Sequence, residues 1–132
     1  LAGLDADAVA YADLHLHDVR DYRESVLADT GLDGLWPLWG RDPTAVLDAF
    51  RDGGAAVVCA ATDALGPDAV GRPLSEVVAA LPDGVDPAGE GGEYHTFVTD
   101  DPGFDGSIPV TAEERFAVEG PTGRVHHADL RR

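Results

Sequence analysis

Seven apolar residues in succession, Ala55 to Ala61 (AAVVCAA), constrain this chain more than any other stretch of it. The run follows Gly53-Gly54, ends at Thr62-Asp63 and carries β-branched residues at its centre. Its length and make-up predict a buried strand. It is far short of the roughly 20 apolar residues that cross a bilayer, and no basic segment precedes an apolar one as in a secretory signal. The chain has 132 residues, 44% of them hydrophobic, enough for the core of one ordinary domain and too much for disorder. The only cysteine, Cys59, lies inside the run, where no internal disulfide is available. An intracellular, cytoplasmic compartment is therefore expected, with an inert thiol.

Charge narrows the partners. Nine Arg, no Lys, 18 Asp and seven Glu leave a net charge of -16. A surface of that sign repels a phosphate backbone, which excludes nucleic-acid binding through a basic patch. It also repels itself at low ionic strength, and molar salt, with a Debye length of about 3 Å, relieves the strain. A salt-rich cytoplasm is the expected setting, although a GC-rich coding preference also accounts for the missing Lys.

Local patterns before and after the run supply the other elements. Ala8 to Ala12 (AVAYA) suits a strand, and Leu16, Val19, Tyr22, Val26 and Leu27 recur at helical spacing as far as Gly31. Leu35 to Trp39 (LWPLW) reads as an edge strand or a strand entering a loop, because Pro37 has no N–H to give. Asp42-Pro43 is a helix start, cap then proline, with Val46, Leu47 and Phe50 as its apolar face and Gly53-Gly54 as its stop. With Ala55–Ala61 this makes β-α-β-α-β, a pattern that favours parallel pairing. Beyond it, Ser75 to Leu81 is a short helix stopped by Pro82, Pro82 to Gly92 is a loop, and Glu93 to Thr99 (EYHTFVT) alternates as a strand. Ile108–Val110, Arg115–Val118 and Arg124–Leu130 follow as short strands joined by turns such as Glu119 to Gly123. Leu1 to Leu4 reads as the end of a helix in a chain without Met, which suggests a fragment or processed chain, with self-association through an exposed strand edge near Ala8–Ala12.

The stretch richest in chemistry is Ala88 to Thr96 (AGEGGEYHT). Gly89, Gly91 and Gly92 let the backbone take positive φ and bring N–H groups close to a ligand, while Glu90 and Glu93 flank the turn. If the following strand alternates from its start, Glu93, His95 and Phe97 share one face and Tyr94, Thr96 and Val98 the other. An acid beside an imidazole can hold Mg²⁺ or take a proton from an amine, and a solvated glycine hairpin is the plain alternative. Asp13 ends the first strand, where parallel sheets bind ligands. His15 and His17 share a face only if that strand continues, so zinc is not expected there. Trp36 and Trp39 suit packing, His126 and His127 suit the two faces of a surface strand, and Asp100-Asp101-Pro102 suits a turn. There is no P-loop, dinucleotide fingerprint or serine elbow.

Leu35 to Arg41 (LWPLWGR), Gly71-Arg72-Pro73-Leu74 and above all Gly89 to Val98 (GEGGEYHTFV) resemble the diphthine-ammonia ligase family of PP-loop ATP pyrophosphatases. Ala10 to Asp13 with Asp18-Val19-Arg20 and Arg23 looks like the last strand and helix of that family's nucleotide domain, so the resemblance covers about residues 8 to 110. It departs where relatives read Gly-Asp in place of Ala12-Asp13, an acid in place of His17 and Asp-Gly-Pro in place of Asp100-Asp101-Pro102. The family's Lys-containing phosphate loop is not in these residues, since the chain has no Lys.

The resemblance implies an α/β chain: the end of a Rossmann-like, HUP-type parallel sheet over residues 1–40, then a smaller α+β substrate domain over 41–132. It implies ATP-dependent amidation of diphthine on elongation factor two by ammonium, with Mg²⁺ as the cation of ATP, and a fragment without the phosphate loop that is inactive alone. The residues expected to act are Glu90, Glu93 and His95 in catalysis, with Asp13, Gly89, Gly91, Gly92 and Thr96 binding substrate or nucleotide and Glu90 or Glu93 able to hold Mg²⁺. The alternatives are a related ATP pyrophosphatase acting on another acid, and a non-catalytic module that binds a partner carrying the phosphate loop.

Overall fold

The computed structural model describes residues 6–120 and 123–132. The expected helix end at Leu1–Leu4 and the Pro121-Thr122 tip of the last turn lie outside the described residues. The chain divides into two compact units, Leu1–Val46 and Leu47–Arg132.

In the first unit β1 (Ala8–Ala10) and β2 (Asp33–Leu35) pair in parallel, with Val9 opposite Gly34. Helix α1 (His17–Leu27) connects them, which is the crossover a parallel pair requires. Leu27 buries itself, whereas Tyr22 and Val26, expected on the same stripe, are exposed. The second strand stops at Leu35, before the Trp36-Pro37 pair rather than through it, and Trp36 to Gly40 form turns in which the Trp39 amide donates to the Trp36 carbonyl. Proline removes the ladder donor at 37, so the strand ends ahead of it.

Helix α2 (Pro43–Arg51) starts as the residues predict, the Asp42 carboxylate accepting from the Ala45 amide at 2.9 Å. The division between the units falls within it. In the second unit β3 (Ala55–Thr62) lies in a four-stranded sheet with β4 (Tyr94–Asp100), β5 (Thr111–Gly120) and β6 (Gly123–Arg131), in the order β4-β3-β6-β5. Every pairing in it is antiparallel.

The expected third parallel strand is therefore corrected: Ala55–Ala61 is a strand, but its partners lie more than 30 residues downstream and run the other way. Its burial also alternates along most of its length, as suits a sheet covered on one face. The last part of the chain is one long hairpin, β5 and β6, in which Ile108–Val110 takes no part.

The core of this unit gathers Leu47 from α2, Ala56, Val58 and Ala61 from β3, Ala69 and Val70 from the loop after it, Leu74 and Val77 from α3 (Leu74–Val78), Tyr94 and Ala128. Along the first half of β3 the segment Gly71–Pro73 takes the side that β6 takes farther on: the Val58 amide donates to Arg72 and the Gly71 amide to Val58. Val58 is fully enclosed as a result. Val58→Ala should cost about 2–3 kcal/mol of stability through lost burial and a residual cavity. Val118→Ala, on a side chain 49% exposed in β5, should cost less than about 0.5 kcal/mol. Chemical denaturation of both variants measures the contrast.

Candidate functional site

The loop between α3 and β4 folds on itself through local polar contacts. The Asp86 carboxylate accepts from the Ala88 amide at 2.7 Å, the Gly89 amide donates to the Asp86 carbonyl, and the Gly92 amide donates to the Gly89 carbonyl. Gly89 and Gly92 take φ of 68° and 81°, the left-handed region that favours glycine. Gly91 serves differently. A Cβ there would stand 2.8 Å from Glu93 Oε1 and 2.9 Å from Oε2, so its missing side chain is the space that the Glu93 carboxylate fills.

Glu93 accordingly turns back over the loop and accepts from the Asp86 amide at 3.3 Å through Oε1. Its Oε2 is buried and has no hydrogen-bond partner among the described residues. This corrects the expected shared face of Glu93 and His95: β4 begins at Tyr94, so strand alternation does not reach Glu93. His95 and Thr96, both exposed, lie side by side on β4 and so point to opposite faces. Glu90 is half-buried within the same turn as Gly89, Gly91 and Gly92. The structure thus joins the three glycines and both glutamates in one turn at the head of the strand that carries His95 and Thr96.

Asp13 belongs to the first unit and is held there. Arg23 donates from Nη2 to Oδ1 at 3.0 Å and ion-pairs with Oδ2 at an Nε–Oδ2 distance of 2.8 Å, and Trp36 Nε1 donates to Oδ2 at 3.3 Å. Tyr11 stacks on Trp36 at 5.3 Å, Arg23 lies over Tyr11, and Arg20 lies 4.5 Å from Trp36 and 4.7 Å from Trp39. The tryptophans therefore pack, as expected, and they pack on guanidinium groups. His17 meets Trp39 edge-on.

Two features escaped the sequence reading. Tyr94 is 6% exposed, sits in the core and donates its hydroxyl to the Pro87 carbonyl, tying the loop to the sheet. Its ring also occupies the space beside Gly89, where a Cβ would come within 3.1 Å of it. His126, expected at the surface, is buried and contacts Asp63 Oδ1 through Nε2 at 2.7 Å, while His127 on the other face stacks against Phe116. An i+7 tether and a contact across 63 residues leave no periodic signal.

Burial pushes the Tyr94 phenol from its ordinary 10.0 up to about 12, and the Asp86 and Glu93 carboxylates add to the effect. The folded chain keeps a proton that the unfolded chain releases near pH 10. The stabilisation from Tyr94 is thus complete below pH 10 and is lost as pH rises through about 12. In Tyr94→Phe the decline in melting temperature across that window should be shallower than in the parent chain, which thermal scans at successive alkaline pH values measure.

No helix among the described residues is long and apolar enough to cross a membrane. No curated protein matches the chain. A family model described as the diphthamide synthase C-terminal domain matches residues 42–126, which takes in α2, β3, the glycine turn, β4 and β5. With more than half of its length matched and the whole AGEGGEYHT turn inside the match, the chain belongs to the diphthamide synthase family, by its C-terminal domain.

Proposed function

We propose that this domain serves the ATP-dependent amidation of diphthine, a modified histidine on elongation factor two, with ammonium as the nitrogen donor. A carboxylate at neutral pH is a poor acyl donor and needs activation. In the proposed reaction the substrate carboxylate attacks the α-phosphorus of ATP and pyrophosphate leaves. Ammonia then attacks the acyl carbon, and AMP departs with the electron pair of the broken C–O bond. The first unit, a β-α-β piece with parallel strands, is read as the end of a Rossmann-like nucleotide domain, with Asp13 fixing its aromatic wall.

The observation that carries this reading, beside family membership, is the Glu93 carboxylate: one oxygen bound to the loop backbone, the other buried and unpartnered. A carboxylate oxygen held that way gains a partner from a cation, whether ammonium or the Mg²⁺ that accompanies ATP. Glu90, in the same turn, adds negative charge. Gly89, Gly91 and Gly92 allow close approach of substrate to backbone, and His95 and Thr96 orient it from β4.

Glu93→Gln and Glu90→Gln, in the complete protein, keep shape while removing charge. Each should lower amide formation with the fold intact, Glu93→Gln by about 100-fold, equivalent to roughly 2.7 kcal/mol. Pyrophosphate exchange into ATP separates the roles: it survives if the acid serves ammonium and falls if the acid serves Mg²⁺. Amidation at the parent rate in both variants would leave the turn a structural hairpin.

A further inference from the structure

A cleft of about 400 Å³ opens in the second unit between Thr62–Ala64, Gly91–Gly92 and Gly123–Arg124, within the range of sites for small molecules. Its lining carries one charge of each sign, Asp63 and Arg124. β3 and β6 pair with Thr62 opposite Val125 and Ala61 opposite His126. The pairing ends there: Asp63 is the first residue of the turn beyond β3, while Arg124 stays in β6 opposite Glu119.

Here each is turned to a different partner. Asp63 Oδ1 contacts His126 Nε2 at 2.7 Å, and Arg124 Nε contacts Glu119 Oε1 at 2.8 Å. The histidine is buried and the Asp63 side chain is 66% exposed, so the imidazole anchors the carboxylate from below and presents it to the cleft. Arg124, exposed on the hairpin, is kept charged by its hydrogen bond to Glu119, by the Glu119 charge and by Asp63. Three of the other lining residues, Gly91, Gly92 and Gly123, have no side chain to fill the space.

We propose that this cleft is a binding site for a small dipolar ligand of the amino-acid type, its ammonium group on Asp63 and its carboxylate on Arg124, with His126 as the positioning residue for Asp63. A simple anion would meet the Asp63 charge and a simple cation the Arg124 charge. Only a ligand carrying both signs matches both charges. The inference shares Gly91 and Gly92 with the amidation reading but uses neither Glu90 nor Glu93 and needs no nucleotide.

Amide resonances of Ala64, Gly91, Gly92, Gly123 and Arg124 report on the cleft in the isotope-labelled full chain. Titration at constant ionic strength with glycine, acetate and methylammonium compares a dipolar ligand with each half of it. Glycine should give saturable shifts in the millimolar range, with acetate and methylammonium weaker by about tenfold or more. Asp63→Asn and Arg124→Gln, both at exposed side chains, should each weaken glycine by about fivefold or more. His126→Gln should do so to a smaller extent. Shifts from acetate as strong as those from glycine would make this an anion site, and no saturation by glycine up to about 100 mM would mean no site; either result overturns the proposal.

Discussion

The pairing of β3 is the constraint on which the second unit depends. Its eight residues, Ala55 to Thr62, are hydrogen-bonded along one edge to β4 and along the other to Gly71–Pro73 and then to β6. Each neighbour brings part of the core: Val70 and Leu74 beside Gly71–Pro73, Tyr94 from β4, Ala128 from β6. The end of β3 also places the polar features. The Thr62 amide and hydroxyl both donate to the Glu93 carbonyl, at 2.9 and 3.3 Å, so the strand's last residue anchors the first residue after the glycine turn. Asp63, one step on, reaches His126.

Preorganisation in the glycine turn follows from where its polar atoms go. Asp86, Gly89 and Gly92 close the turn with main-chain and carboxylate bonds, and Tyr94 pins Pro87 from within the core. The Glu93 carboxylate then lies in a space made by omission of a side chain at Gly91. One of its oxygens is left without a hydrogen bond among the described residues, a position that an ordered water or a cation can satisfy. The raised pKa of Tyr94 is the same crowding seen from the phenol: burial first, then the Asp86 and Glu93 charges. Exposed ion pairs such as Arg20–Glu24 and Arg72–Glu76 add little by comparison, since solvent screens them.

Much of the local structure was legible. The Asp42-Pro43 start of α2, the strand at 55–61, the helix stopped before Pro82 and the strand following the glycines all stand close to where capping, apolar runs and proline set them. The glycines marked the turn. The direction of β3 was not legible, because β-α-β alternation constrains neighbours in sequence, and both partners of β3 are distant. The orientation of Glu93 was missed because alternation was extended one residue beyond the true start of β4.

What the sequence by itself determined are the features set by interactions within a few residues, the Asp42 cap, the proline stops and the glycine turn, together with the net negative charge. They need only backbone sterics, local hydrogen bonds and the sum of formal charges. Tertiary structure alone decided which edges of β3 are paired, that His126 is buried against Asp63, that Tyr94 ties the loop to the core, and that Glu93 folds into the space at Gly91. Each of those joins groups brought together by burial of the apolar face of one sheet. Burial is non-directional and acts on the whole chain at once, so no short window of residues contains its outcome.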